Sequence, residues 1–303
     1  MKYINISFEN EQQKRDFVMA CELDFEKRLC DVSNRVKNTG VESLLLSGPT
    51  CSGKTTTANK IISDFEQVGR QVSVISLDNF FKPRADQRAI VDNDEIDYDS
   101  VNALDLDILT ACVNQARQGR TVKMPIYDFI TQTANKYETL KIDENGVIIF
   151  EGIQAVYPEI TCLFKERDYI GVFINVDEDV MINGVFFSRD DIRLSRRLVR
   201  DYKFRGANAE FTLFLWDNVR KNEDQSIYPN KNAICKVQLN SFLDYELFIL
   251  RGYIIDILNE VEENSKYYKK AMELRDKFLK LDTISYDYVP KNSLYTEFLG
   301  KKQ

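Results

Sequence analysis

Histidine is absent from this chain of 303 residues. That excludes Ser-His-Asp and Cys-His catalysis and every zinc site built on imidazole, so a general base has to be a carboxylate, lysine, tyrosine or cysteine. Cysteine is sparse: Cys21, Cys30, Cys51, Cys112, Cys162 and Cys235 are scattered with no C-x-x-C pair, which reads as reduced thiols, mostly buried filler. No apolar run approaches the roughly 18 residues of a membrane span. The opening stretch, MKYINISFENEQQKRDF, lacks the apolar core of a secretory signal. Basic excess is missing too: 41 Lys and Arg stand against 48 Asp and Glu, a net charge of −7, which argues against a dedicated nucleic-acid binder. These absences predict a soluble cytoplasmic enzyme with no nucleic-acid or membrane partner.

Apolar periodicity predicts a helix over residues 11–37, with Phe17, Met19, Ala20, Phe25, Leu29 and Val32 as its inward stripe. Short, nearly continuous apolar runs at 41–47, 71–77, 146–150 and 169–176 read as buried strands, and 55–67 and 105–118 read as helices. The alternation predicts an α/β fold, a mostly parallel sheet with helices on both faces. Residues 241–281 read as mainly helical. There Tyr245, Phe248, Ile249, Tyr253, Ile254 and Leu258 recur at helical spacing, as a face packed on the same core. The expected organisation is an N-terminal helical segment, 1–40, a core, 41–240, and a C-terminal helical extension, 241–303.

The strongest local signal is Gly48-Pro49-Thr50-Cys51-Ser52-Gly53-Lys54-Thr55, which fits G-x-x-x-x-G-K-[ST] between a strand and a helix. Two glycines let the loop wrap so that successive backbone N–H groups point inward as an anion nest, and the helix N-terminus adds positive potential. Lys54 would reach the β- and γ-phosphates of a nucleotide and the Thr55 hydroxyl would bind Mg²⁺. Cys51 is expected to face away from the phosphates. A switch-type GTPase is disfavoured, because neither Asn59-Lys60 nor Asn135-Lys136 is followed by Asp at the position a base-reading N-K-x-D motif requires.

Two acids end apolar strands: Asp78 follows QVSVISL and Glu151 follows GVIIF. In a phosphate-loop site, one such acid holds Mg²⁺ and another accepts a proton from an attacking hydroxyl. Arg193, Arg196, Arg197, Arg200, Lys203 and Arg205 crowd into one stretch, with Arg193, Arg197 and Arg200 on one helical face. Two readings stand open: a solvated face paired with Asp190, Asp191 and Asp201, or an arginine-rich lid over about 190–207 that closes on transferring phosphate.

Taken in order, GPTCSGKTT (48–56), ISLDNFF (75–81), DYDSVNALDLDIL (97–109), MPIYDF (124–129), VIIFEGI (147–153), RLSRRLVRDYKFRG (193–206), NSFLDYEL (240–247) and VPKNSLYTEFLG (289–300) resemble the uridine kinase and phosphoribulokinase family of P-loop kinases. The resemblance implies a P-loop NTPase fold and a kinase using ATP and Mg²⁺. The nucleotide would lie on residues 48–56, Thr56 included. Asp78 is implied as the base, with Lys54, Arg200 and Arg205 around the phosphates and Thr55, Glu151 and Asp78 on the metal side. Asp99 and Arg197 would hold the ribose hydroxyls, with Tyr127, Phe81 and Gln132 lining the acceptor pocket. The acceptor implied is a small-molecule hydroxyl, most nearly a nucleoside 5′-hydroxyl, in a chain that could form a homo-oligomer. The alternatives are a polyol or sugar phosphate as acceptor, or an inactive nucleotide-binding regulator. Departures cluster at base-reading positions: Gln132 stands for the family's histidine, Phe81 for a tyrosine, Ala207 for an arginine and Leu215 for a glutamine.

Overall fold

The computed structural model describes residues 1–87, 98–129, 131–141, 146–165 and 168–300. Asp97, which opens the 97–109 motif, and residues 301–303 of the expected extension lie outside the described residues.

Strand β1 (Lys2–Ile4) leads into helix α1 (Glu11–Thr39). The Asn10 side chain accepts from the Gln13 amide at its start, and Gly40 ends it in the left-handed region, φ 68°. Its buried face is Val18, Phe25, Leu29, Val32 and Val36. Met19 and Ala20, expected inside, face solvent, because the helical period through Phe25, Leu29 and Val32 arrives at Val18 instead. The segment 1–40 is also more than helical: β1 pairs in parallel with β8 (Val180–Ile182), which turns back antiparallel into β9 (Val185–Phe187).

The main sheet has five strands, β2 (Ser43–Ser47), β3 (Val72–Ser76), β6 (Val147–Glu151), β7 (Tyr169–Asn175) and β10 (Cys235–Asn240). All pair in parallel, in the spatial order β10-β7-β2-β6-β3. The central strand β2 is buried on both faces. Leu44 and Leu46 join the core shared with α1, α2 (Lys54–Glu66), α5 (Arg189–Phe204) and α8 (Glu246–Asn259), whereas Leu45 joins the opposite core with α3 (Leu106–Arg117) and β4 (Val122–Asp128). The predicted α/β architecture is therefore present. Strand β10 carries no apolar signature that predicts it. It alternates buried Cys235, Val237 and Leu239 with exposed Lys236 and Gln238, as an edge strand does, and lacks the apolar run of the inner strands. The hairpin of β4 with β5 (Thr133–Leu140), the short α4 (Pro158–Thr161) and helices α6 (Ala209–Asn222) and α7 (Tyr228–Ile234) complete the middle of the chain.

Residues 241–281 form α8 and α9 (Tyr268–Leu279). Tyr245, Phe248, Ile249, Ile254 and Leu258 are buried and Tyr253 is half-buried, so the expected packing face is real. A last short helix, α10 (Thr296–Leu299), returns to the centre of the molecule. Strand order changes direction at β2, where the chain leaves for β3 on one side and later fills β7 and β10 on the other. The crevice at the C-terminal end of such a switch point is where open α/β sheets hold ligands. Among the described residues no helix is long and apolar enough to cross a membrane.

Candidate active site

The loop from β2 to α2 occupies that switch point. Gly48 has no room for a side chain: a Cβ there would lie 2.2 Å from the Ile174 carbonyl oxygen. Gly53 turns the chain at φ 95°, a region that favours glycine, and α2 begins at the next residue. The first-turn N–H groups of α2 thus open toward the loop, as an anion cradle requires. Lys54 arches over it, with Nζ donating to the carbonyls of Gly48 at 2.9 Å and Pro49 at 3.2 Å. Cys51, at φ 57°, borders the cleft and is buried, belonging to the core shared with α2 and α5.

The loop floors a cleft of about 420 Å³. Into it the fold brings Thr50, Lys54 and Thr55 from the loop region, Asp78 and Phe81 from the 3₁₀ turn after β3, Asp99, Glu151 at the end of β6, and Arg197, Arg200 and Arg205. Ser76 pairs with Glu151 across β3 and β6, and its hydroxyl donates to Glu151 Oε1 at 2.8 Å. The two acids consequently share one corner of the cleft. Burial, then the Glu151 carboxylate, push Asp78 up to about 6, against the pull of Lys54 and Arg205. Two repelling carboxylates beside a threonine hydroxyl and an anion cradle suit a hard divalent cation, which takes one or two carboxylates and completes its shell with water and phosphate. No group of three or more acidic, cysteine or histidine side chains able to hold a metal alone occurs among the described residues. The donor set fits Mg²⁺ shared with a nucleotide better than a closed protein cage.

The arginine run does not form one solvated face. Helix α5 is buried along most of its length, because α8 and α10 pack against it. Arg193 and Arg196 are fully buried. Arg193 pairs with Glu223 and lies 5.4 Å from the Trp216 ring, while Arg196 pairs with Glu246 at 2.7 Å. The remaining three converge on buried Asp201. Arg197 Nε donates to Oδ2 at 3.2 Å, Arg200 Nη2 donates to Oδ1 at 2.6 Å, and Arg205 Nε lies 3.6 Å from Oδ1. Asp201 thus gathers the cationic wall of the cleft, and spacing alone could not separate these three arginines from the structural pair.

Phe81, Tyr98, Tyr127 and Phe129 form a ring cluster with centroids 4.9–6.2 Å apart. Phe81, Tyr98 and Phe129 line the cleft. Tyr127 stands one row behind, its hydroxyl 3.1 Å from that of Tyr98. Gln132 does not line the cleft. It sits in the turn before β5 at φ 53°, and its carbonyl accepts from the Arg84 amide at 3.1 Å. Helix α6 contributes Phe211, Leu215, Asn218, Val219 and Asn222 to the wall. One further acid arrives from far along the chain: Glu297 on α10, whose Oε2 accepts from Thr56 Oγ1 at 3.3 Å. Burial raises its carboxyl above the ordinary range, while Lys54, Arg200, Arg196 and the Thr56 hydroxyl oppose that rise. Glu297 lies within the 289–300 stretch, whose resemblance assigns it no role.

Among known proteins, residues 44–238 match the model of the Phosphoribulokinase / Uridine kinase family. The uridine kinase of Staphylococcus epidermidis is 35% identical over 187 residues, covering 61% of this chain and 81% of that protein. The uridine kinase of Saccharomyces cerevisiae is 29% identical over 224 residues, covering 73% of this chain but 41% of that protein, less than half its length. A solved structure described as a possible uridine kinase from Bacillus stearothermophilus superposes with a TM-score of 0.49 at 18% identity, covering 71% of this chain and 99% of that one.

Proposed function

This chain belongs to the phosphoribulokinase and uridine kinase family, and on that premise we propose that it transfers the γ-phosphoryl group of ATP to a hydroxyl of a small molecule, the 5′-hydroxyl of a nucleoside. The observation that carries this is the convergence of Lys54, Asp78, Glu151 and the Asp201-held arginines in one cleft at the end of β2. On this reading residues 41–240 are the kinase core, Arg197, Arg200 and Arg205 its phosphate-facing arginines, and 241–300 a helical extension packed on it.

The residues divide the chemistry as follows. Backbone N–H groups of 50–55 and the Lys54 ammonium bind the triphosphate, and Thr55, Asp78 and Glu151 would hold Mg²⁺. Held by these residues, the metal would supply neutralisation of the phosphate charge. Asp78 accepts the proton of the acceptor hydroxyl as its oxygen bonds to the γ-phosphorus and the bond to the ADP oxygen breaks. Asp99 and Arg197 orient the acceptor's vicinal hydroxyls, and Arg200 and Arg205 meet the charge on the transferring group. Phe81, Tyr98 and Phe129 form an apolar wall that keeps water from competing as acceptor.

A second reading, an acceptor other than a nucleoside, draws on one observation. Of the positions that the resemblance assigns to the base, Gln132 lies outside the cleft and Leu215 inside it offers no hydrogen bond. ADP release from Mg-ATP across nucleosides, sugars, sugar phosphates and pantothenate, with Asp78→Asn as blank, separates the two. Stimulation by a nucleoside that is lost in the variant supports the first reading. Stimulation only by another polyol replaces the acceptor, and no stimulation by any acceptor overturns the kinase reading.

A further inference from the structure

The C-terminal segment rests on the phosphate loop. Leu294 covers Gly53 so closely that a Cβ there would lie 2.4 Å from its Cδ1. Arg196 reaches both sides: its guanidinium donates to the Cys51 carbonyl at 3.1 Å and stacks 5.2 Å from the Phe298 ring. Leu294, Tyr295, Phe298 and Leu299 are all buried. These apolar contacts suffice to seat the segment. Glu297 adds one hydrogen bond, from Thr56, and places a partly buried carboxylate in the cleft, and a desolvated charge is held only against opposing electrostatics.

The charges facing Glu297 are Lys54 from α2 and Arg196 and Arg200 from α5, with the Thr56 hydroxyl as its hydrogen-bond donor. The acids Asp78 and Glu151 line the same cleft. Glu297 therefore competes for the cations a phosphate chain would use.

We propose that Glu297 is a specificity-determining residue of the nucleotide site, a fixed negative charge that penalises anions in proportion to their own charge and so favours a cation-complexed triphosphate over an uncomplexed one. Coulomb repulsion scales with ligand charge. ATP carries about four negative charges when free and about two when complexed with a divalent cation, so the penalty falls unevenly on the two forms. This inference rests on the reading of the Lys54 loop as a nucleotide site.

The test is calorimetric titration with ATP at pH 8, once in EDTA and once with excess MgCl₂, on the wild type and on Glu297→Gln and Glu297→Asp. Glu297→Gln is expected to tighten free ATP on the order of tenfold and Mg-ATP distinctly less. Glu297→Asp, which keeps the charge, is expected to retain the wild-type ratio of the two affinities. An equal shift of both forms in Glu297→Gln, weaker binding of both, or the same changed ratio in Glu297→Asp as in Glu297→Gln would each overturn the role given to Glu297. A wild type that binds neither form overturns the nucleotide-site reading and this inference with it.

Discussion

Arg196 donates through Nη1 to the carbonyl of Cys51, 3.1 Å away, so a helix beneath the phosphate loop grips the loop at its middle. The same guanidinium donates to Glu246 from Nε at 3.1 Å and to the Ser241 carbonyl from Nη2 at 3.0 Å, and both charged partners are wholly buried. The loop's shape is thereby linked to α8, beyond the last strand of the sheet.

Removing the carboxylate strands Arg196 as an uncompensated buried charge. Glu246→Ala is expected to lose about 3–5 kcal/mol of stability, measured by urea denaturation. A loss under about 1 kcal/mol would mean that the pair is replaceable by packing alone.

Asp78→Asn is expected to act in opposite directions on turnover and stability. Turnover should fall roughly 10²- to 10⁴-fold with the loss of a positioned base. Stability of the ligand-free protein should rise. The folded carboxyl is raised to about 6 from 3.8, so the native state holds this proton more tightly than the unfolded chain does. Stability from this group is full below the unfolded value and declines as pH climbs through the interval up to about 6. Thermal melts between pH 4 and pH 8 should show that decline in the wild type and a shallower one in Asp78→Asn. Identical pH slopes in the two proteins would count against the buried-charge account.

Asp201 holds three arginines at once, so Asp201→Asn should loosen all of them. The expectation is a fall in kcat of about tenfold or more, of the size seen when electrostatic stabilisation of a transferring group is weakened, together with a raised KM for the acceptor through Arg197. Asp217→Asn, which breaks only an exposed pair with Lys270 at 2.9 Å, serves as the control and should change stability by less than about 0.5 kcal/mol.

The acceptor residues make a paired prediction. Asp99→Ala should raise the acceptor KM by about tenfold or more while leaving the KM for ATP within about twofold. Gln132→Ala should change neither, since Gln132 stands outside the cleft. Steady-state kinetics with both substrates varied decides it, and an acceptor effect in Gln132→Ala would return that residue to the pocket.

The inner strands and the loop were readable because each carries its own local signature. SLLLS and VIIFE are apolar enough to be buried on two faces, and the Gly48-to-Thr55 spacing has a steric cause. Strand β10 was not, since one exposed face gives it the ordinary alternation of a surface segment. The division of labour among the arginines was equally hidden. Arg193 and Arg197 share a face at i, i+4, but what separates them is the partner each meets, Glu223 for one and Asp201 for the other. Glu297 is the extreme case, because its partner is 241 positions away. Local pattern carries no information about such a contact, and only tertiary packing creates it.

The seating of Leu294 on Gly53 and of Glu297 on Thr56 has a temporal meaning as well. A ribosome adding roughly 5–20 residues per second needs on the order of ten to fifty seconds between finishing the phosphate loop and delivering the segment that rests on it. The sheet can assemble as its strands emerge. The loop waits for a segment 241 positions further on before its surroundings are complete, so a nascent chain stalled short of Leu294 would carry the whole phosphate-binding sequence with one side of it bare.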